Sequence, residues 1–394
     1  LRSAVKGIIV TAAFIGPGTI TTASLVGAQL GYQLVWALVF ALFATCVLQE
    51  MASRLGSVTA SGLSQAILSQ RHSRVYKALM SILICTAIGI GNAAYEGGNL
   101  TGAGLGLSAS FGGSIAVWAF ALGSLAALLL LSNQYRVIEG VLIALVVMMS
   151  VVFISLMLVA GVSIENLQSG LGLEYGLFSD YALLLALIGT TIVPYNLFLH
   201  AGMSAKDAHL DQASRGGNAG LFTTIGLGGL VTFAVMSSAA TAFFATGLIL
   251  DRGNIASQLE PLLGAYASLF FGLGLFAAGL TSAITAPLAA SYAIAGVFNW
   301  QTELTDWRFK AVSLVIIGIG ILVSVSGANP FVIIVLAQAA NAILLPISAV
   351  LLLMVCNNAT MMGQAKNSMS NNAAALLVIF TVLGLAAYKL ISLV

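Results

Sequence analysis

Two apolar runs of this chain are broken at their centres, and the breaks fall at corresponding places. The first reads AAFIGPGTITTAS, with Gly16, Pro17 and Gly18 in its middle; the second, five apolar runs later, reads LIGTTIVPYNLFLH, with Gly189 and Pro194. Inside a bilayer each backbone polar group must be satisfied within the protein. A helix can therefore be interrupted there only where protein or water takes up the freed groups. Paired interruptions in two halves of a chain point to a solute site built from discontinuous helices near the bilayer midplane.

Composition supports the membrane setting. The 394 residues are 60% hydrophobic and 7% charged, where a soluble domain is about a quarter charged. Many runs approach the roughly 20 residues that cross about 30 Å of hydrocarbon, so the chain reads as an all-α integral membrane protein in contact with the lipid bilayer. Its 42 glycines suit helices whose backbones pack closely. Cys46, Cys85 and Cys356 lie in or beside apolar runs without a short spacing, and read as small buried hydrophobes rather than a thiol metal site. Nothing in the pattern suggests nucleic-acid binding or a cofactor, and the net charge of +2 is uninformative by itself, because membrane topology alone can produce a positive balance. The first apolar run continues into the broken helix, so no cleavable signal peptide is expected.

Eleven spans are expected, at about 8–30, 34–53, 76–107, 114–132, 138–161, 180–203, 219–248, 264–297, 311–327, 330–355 and 373–393. Basic residues favour the cytoplasmic side. With the N-terminus inside, Arg2, Lys6, Arg54, Arg71, Arg74, Lys77, Arg136, Lys206, Arg215, Arg308, Lys310 and Lys366 are cytoplasmic, and only Arg252 and Lys389 are external. The loop with Glu165, Glu174 and Asp180 carries no basic residue, as an external loop can. The C-terminus is then outside, and the plasma membrane (a bacterial inner membrane) is the expected location.

The broken spans are 1 and 6. If each opens a bundle of five, the second bundle enters the membrane from the opposite side. This makes residues 1–394 one transporter domain, with a five-helix repeat at 8–161, an inverted one at 180–355 and an added helix at 373–393. Alternating access by rocking one bundle against the other follows from such a plan. The plainer alternative is two proline kinks in a nontransporting sensor or scaffold.

Polar residues around the breaks weigh against that alternative. Thr19, Thr21 and Thr22 follow the first; Thr190, Thr191, Tyr195, Asn196 and His200 flank the second; span 3 holds Asn92, Tyr95, Glu96 and Asn99; span 10 holds Gln338 and Asn341. Glu96 and Asn99 are three apart and share a helical face. An acid in mid-span is a functional hypothesis by default, so Glu96, with Asn99 and His200, is a candidate proton pathway. The alternative for each is structural hydrogen bonding. Glu50, near the end of span 2, reads as a helix brace. No enzyme constellation stands out: His72, His200 and His209 form no His-Glu-x-x-His pattern, Asp207 and Asp211 read as solvated loop charge, and GNLTGAGLGLS lacks the lysine and context of a phosphate loop.

The stretches GPGTITTASLVGAQLGYQLVWALVF, LQEMASRLG, IGTTIVPYNLFLH, LAQAANAILLP and CNNATMMG resemble the first, second, sixth and tenth helices and a late cytoplasmic loop of the NRAMP family of proton-coupled divalent metal transporters. The likeness runs from about residue 8 to residue 365. It implies a LeuT-like fold of eleven helices, a 5+5 inverted repeat plus one, broken in helices 1 and 6. It also implies where the substrate sits. The family's Asp-Pro-Gly-Asn motif corresponds here to Gly16, Pro17, Gly18 and Thr19, and its Met-Pro-His to Val193, Pro194 and Tyr195. The carbonyl ligand falls at Thr190, the helix-10 glutamine is Gln338, and the acidic pair of helix 3 becomes Glu96 and Asn99. Thr19, Thr190 and Gln338 are what the resemblance leaves for a metal.

Manganese and iron favour carboxylate, carbonyl, water or imidazole ligands, and sulfur adds preference for softer ions. Gly16 removes the carboxylate and Val193 the sulfur, while the phenol of Tyr195, with a reference pKa of about 10, replaces an imidazole poorly. Strong transition-metal transport is therefore not expected. Two cargoes remain open. One is a weakly held or hydrated divalent cation, such as Mg²⁺, which keeps several waters. The other is a small organic solute, such as an amino acid or carboxylate, received by backbone N–H groups of the Gly-Pro-Gly break and by Thr19, Thr22, Thr190, Tyr195 and Asn196. Protons, sodium or no coupling ion are each compatible with the residues present.

Overall fold

The computed structural model of the protein describes residues 16–70, 73–132, 135–162, 167–168, 170, 180–210, 219–302 and 305–391. Outside them lie the first half of span 1 with Arg2 and Lys6, and also Arg71, His72, Glu165, Glu174, Asp211 and Arg215; so do the side chains of Arg136, His209 and Lys389.

Most described residues of the expected spans are helical; the exceptions include residues 192–193 within span 6 and the ends of spans 7 and 9, which stop at 244 and 324. In chain order the helices are α1 (Pro17–Leu30), α2 (Val35–Thr59), α3 (Arg74–Phe111), α4 (Ile115–Leu131), α5 (Tyr135–Ala160), α6a (Tyr181–Thr191), α6b (Pro194–Leu210), α7 (Ala219–Ala239), α8 (Ala267–Phe298), α9 (Trp307–Ser324), α10 (Pro330–Cys356) and α11 (Met369–Ile391). Among them, eight helical stretches are long and apolar enough to cross a membrane by length and composition, and α4 is a shorter apolar helix.

Local chemistry explains where they start. Asp180 Oδ1 accepts from the backbone N–H groups of Ala182 (2.9 Å) and Leu183 (3.1 Å) at the head of α6a. Asn329 Oδ1 caps α10 from Phe331 N–H at 2.9 Å, with Pro330 in the first turn. Such caps satisfy orphan N–H groups. Helix α9 begins at Trp307 rather than near 311 because Asp306 Oδ1 accepts from Arg308 N–H at 2.9 Å, so the cap outweighs hydropathy. Two features were not expected from apolar length: a short helix, Leu63–Ser69, between α2 and α3, and π-helical turns at Cys85–Ile90 within α3 and Ala240–Phe244 after α7. A π turn marks a local change in helical winding.

Glycine sets the closest approaches. A Cβ on Gly27 of α1 would lie 2.1 Å from Met236 O of α7, and one on Gly56 of α2 2.2 Å from Ala201 O of α6b. Gly279 of α8 meets the Ala103 methyl of α3 at 2.1 Å, and Gly189 of α6a meets Gln338 O of α10 at 2.0 Å, measured the same way. Small residues thus hold α1 on α7, α2 on α6b, α3 on α8 and α6a on α10. Large apolar residues such as Val117, Leu128, Leu322, Leu336 and Phe380 remain exposed on the outside, where a bilayer would cover them.

Candidate solute site at the helix breaks

Each break has a sequence cause. Pro194 has no N–H to donate, and the residue before a proline is pushed out of the α region. Helix α6a accordingly closes with Ile192 N–H on Ile188 O at 2.8 Å, Ile192 leaves helical geometry (φ −106°, ψ 86°), and α6b starts at Pro194. At the first break Gly16 is extended (φ −94°, ψ 175°), and its carbonyl accepts from Thr19 N–H (3.0 Å) and Ile20 N–H (3.2 Å) to begin α1. The first turn of α1 and the last turn of α6a meet: Thr19 Oγ1 and Thr190 Oγ1 are hydrogen-bonded at 2.8 Å. The partly positive end of one helix therefore lies beside the partly negative end of another.

Gly16 and Gly18, expected from sequence to leave backbone N–H groups open to a solute, are also closely bordered. In the structure they seat side chains: a Cβ on Gly18 would lie 2.0 Å from Gln338 Nε2, and one on Gly16 would lie 2.6 Å from Ser282 Oγ and 3.4 Å from Asn99 Oδ1. The place beside Gly16 where the family motif carries a carboxylate is thus bordered by a serine of α8 and an asparagine of α3. Gly102 of α3 approaches the Pro17 ring to 2.8 Å by the same measure, which keeps α3 against the break.

Gly16, Gly18, Thr19, Thr22, Thr190, Val193, Tyr195, Asn196, Gln338, Glu96, Asn99 and His200 are all buried. Asn99 Nδ2 donates to Glu96 Oε2 at 3.2 Å, joining the two residues read as one face. Among the described residues, Glu96 Oε1, Asn99 Oδ1, Thr22 Oγ1, both amide atoms of Asn196, both of Gln338, Asn341 Nδ2 and Ser282 Oγ have no hydrogen-bond partner. Buried polar groups are normally paired, and each exception calls for an explanation. Trp36 Nε1 and Ser64 Oγ are exceptions elsewhere, but those named above lie on helices that meet near Gly16 and Pro194.

Tyr195 places its ring edge-on to Tyr95, with centroids 5.3 Å apart, so α6b and α3 touch through aromatics. Val193 is buried at the break. His200 lies further along α6b, with Nδ1 2.9 Å from Gln49 Oε1 of α2. Glu50 bonds Arg54 at 3.0 Å, and Arg54 reaches Ala365 O (2.6 Å) and Asn367 Oδ1 (2.8 Å), the arrangement of a brace. No group of three or more His, Cys, Asp or Glu residues that could hold a metal occurs among the described residues. Ser282, whose Oγ lies beside Gly16, is not singled out by the sequence.

The all-helical bundle, with α6a and α6b separated at Ile192–Val193 beside the start of α1, has the LeuT-like fold. A solved structure of an Eremococcus coleocola manganese transporter, in complex with an aromatic bis-isothiourea substituted compound, superposes with a TM-score of 0.74 at 22% identity, over 97% of this chain and 85% of that one. MhsT in complex with L-phenylalanine superposes with a TM-score of 0.59 at 16% identity, over 98% and 97%. Residues 7–392 match the Nramp family, natural resistance-associated macrophage protein-like, and the chain belongs to it. A relative from Pectobacterium carotovorum subsp. carotovorum, the divalent metal cation transporter MntH, is 27% identical over 388 residues, 96% of this chain and 91% of that protein.

Proposed function

We propose that this chain is a secondary transporter whose site at the α1 and α6 breaks receives a small polar organic solute, an amino acid or another carboxylate, in place of a tightly held transition metal. The observation that carries this reading is the set of unpaired neutral groups on Gln338, Asn196, Asn99, Ser282 and Thr22 around a first break that has glycine at its carboxylate position. Neutral donors and acceptors discriminate by hydrogen bonding, whereas a dehydrated divalent cation needs opposing charge. Thr19, Thr190, Tyr195 and the backbone at Val193 complete the proposed site. Membership of a family whose relatives include divalent metal cation transporters favours a second reading. In it Thr19, Thr190 and Gln338 touch a hydrated Mg²⁺ or Mn²⁺ ion and Glu96 supplies the charge.

The packing supports two inverted repeats, 8–161 and 180–355, with 373–393 added. Exchanging each helix for the one five positions on turns the α1–α7 contact at Gly27 into the α6–α2 contact at Gly56. Basic-residue bias supports a cytoplasmic N-terminus, an external C-terminus and an inner-membrane location. Glu96, beside Asn99, is the acid proposed to carry protons, with His200 toward the cytoplasmic end.

The test is uptake into proteoliposomes of radiolabelled amino acids and small carboxylates, against Mn²⁺ and Mg²⁺, with internal pH recorded. Saturable entry of an organic solute without metal entry is expected. Saturable metal entry alone would replace this reading with the second, and no entry of either by folded protein would return the sensor or scaffold. If entry acidifies the lumen, Glu96→Gln is expected to abolish that acidification.

A further inference from the structure

Three of the basic residues expected to face the cytoplasm are held by protein groups. Arg54 bonds Glu50, Ala365 O and Asn367. Arg308 Nε lies 3.3 Å from Asp306 Oδ1, and its guanidinium sits 5.5 Å from the centre of the Trp300 ring. Lys310 Nζ donates to Leu131 O, at the end of α4, at 3.5 Å. Arg74 and Lys77, in the first turn of α3, differ. Among the described residues neither side chain has an ion pair or a hydrogen bond. They are three apart and so neighbours on the helix surface.

Nothing nearby in the chain offsets the two charges. From Met51 to Tyr95 the sequence holds no Asp or Glu. The cap of α3 is neutral: Ser73 Oγ accepts from Tyr76 N–H at 3.2 Å, and no acid stands in the first turn. Cations at the start of a helix oppose its dipole, so the local fold does not account for the pair.

Beside Arg74 runs an apolar stripe. Val75, Leu79 and Ile82, at i, i+4 and i+7, share a face, and each is more than half exposed. Ile90, about two turns on, continues the stripe and is exposed as well. The short helix Leu63–Ser69 and the end of α8 both pack on this part of α3. Gln65 Nε2 of the short helix donates to Asn299 Oδ1, just past α8, at 3.1 Å. Next to Asn299, Phe298 and Trp300 stack with centroids 4.8 Å apart, and Trp307 is exposed. Aromatic residues of this kind sit at headgroup level. They put the boundary between water and lipid at the start of α3.

An apolar stripe that ends in two uncompensated cations matches a phospholipid with a negatively charged headgroup. An acyl chain covers the stripe, and the flexible stems of Arg74 and Lys77 carry their charges to the phosphate. A zwitterionic lipid brings its own cation and gains less. A free anion meets the charges but leaves the stripe uncovered.

We propose that the start of α3 is a docking site for an anionic phospholipid, with Arg74 and Lys77 at its phosphate and Val75, Leu79 and Ile82 along an acyl chain. Helix α3 continues from there through the π turn at Cys85–Ile90 to Glu96 and Asn99. The lipid therefore anchors the outer end of a helix that lines the candidate solute site.

The experiment is native mass spectrometry of the purified full-length protein released from detergent micelles. It is titrated with palmitoyl-oleoyl phosphatidylglycerol, with the matching phosphatidylcholine, or with glycerol phosphate, and thermal midpoints without lipid confirm that each variant is folded. Phosphatidylglycerol is expected to bind more tightly than phosphatidylcholine, and glycerol phosphate is not expected to bind. Arg74→Gln and Lys77→Gln should each weaken phosphatidylglycerol about fivefold, and together roughly thirtyfold. Arg74→Lys, which keeps the charge, should bind as the wild type does. Lys206→Gln with Lys366→Gln removes the same charge from two other exposed positions and should leave binding unchanged. Val75→Ser with Leu79→Ser keeps every charge and should weaken both lipids.

The proposal is overturned if the Arg74→Gln, Lys77→Gln double variant binds phosphatidylglycerol as tightly as the wild type. Equal weakening by the Lys206 and Lys366 changes also overturns it, because binding then follows net charge. So does equal binding of the two lipids by the wild type. Glycerol phosphate bound as tightly as phosphatidylglycerol would make this a site for a soluble anion and remove the lipid.

Discussion

Two polar clusters in this bundle use similar residues to opposite ends. At the end of α2, Arg54 joins Glu50, Ala365 O and Asn367 Oδ1. Asn367 Nδ2 donates to Asn372 Oδ1 (2.9 Å), and Asn372 and Asn357 exchange two bonds at 2.8 Å. These side chains tie α2 to the connection between α10 and α11. At the helix breaks, Asn99, Asn196, Asn341, Gln338 and Ser282 each hold at least one buried polar atom without a partner among the described residues. A paired network fixes structure, while unpaired groups withdrawn from lipid incur a desolvation cost that a ligand can offset. The difference teaches that pairing, more than polarity or burial, separates brace from site.

The largest expected effects set the two clusters directly against each other. Arg54→Met should lower stability by about 3 kcal/mol, because several charge-assisted bonds are lost and Glu50 is left without its cation. A fall in the thermal midpoint in detergent reads this. Asn99→Leu breaks a single bond, to Glu96 Oε2, and should lower that midpoint less than Arg54→Met does, while reducing uptake about tenfold, the loss of one bond made to a bound solute. If the two variants exchange phenotypes, the comparison fails.

Gly18→Ala comes next. Its Cβ would fall 2.0 Å from Gln338 Nε2, so Gln338 must leave its seat. A cost of about 2 kcal/mol is expected from the crowding, with loss of uptake. Adding Gln338→Ala should restore the thermal midpoint but not transport, separating packing from recognition. A double variant that transports normally would remove Gln338 from the site.

The metal reading gives a third test. Gly16→Asp with Val193→Met restores a carboxylate and a sulfur, but the new Cβ would meet Ser282 Oγ at 2.6 Å. Adding Ser282→Ala opens that space. The triple variant should bind Mn²⁺ about tenfold more tightly than the double one, roughly the 1.4 kcal/mol expected from relieved crowding. Equal Mn²⁺ binding by the two would show that Ser282 does not border the restored ligand.

Much of the fold was legible in the chain because a membrane span needs a long apolar run, and because Pro17 and Pro194 interrupt two of them. The site was less so. Gly16 and Gly18 announce an absent side chain, but only packing reveals that Ser282 and Gln338 approach them. Ser282 itself is indistinguishable in sequence from Thr281 and Thr285, whose hydroxyls bond back to their own helix. Glu50 was recognised as a brace because Arg54 follows it by one turn, a local signal; the contact from Arg54 to Asn367 spans 313 positions and leaves no such trace. The π turn at Cys85–Ile90 likewise has no marker in an apolar run.

The smallest expected effect concerns the direct bond between Thr19 and Thr190. Thr19→Val removes the hydroxyl that meets Thr190 Oγ1 at 2.8 Å while keeping volume and branching. If the bond only ties α1 to α6a, stability should fall by about 1 kcal/mol and solute affinity should be unchanged. If the pair opens to receive solute, as the unpaired groups around it suggest, affinity falls with stability. Thr190→Val should match it, and the double variant should cost little more than either single one, since one interaction is removed in all three. Calorimetry and thermal midpoints on the four proteins distinguish these outcomes. Strict additivity would mean that the two hydroxyls act independently and that the breaks are joined by backbone packing alone.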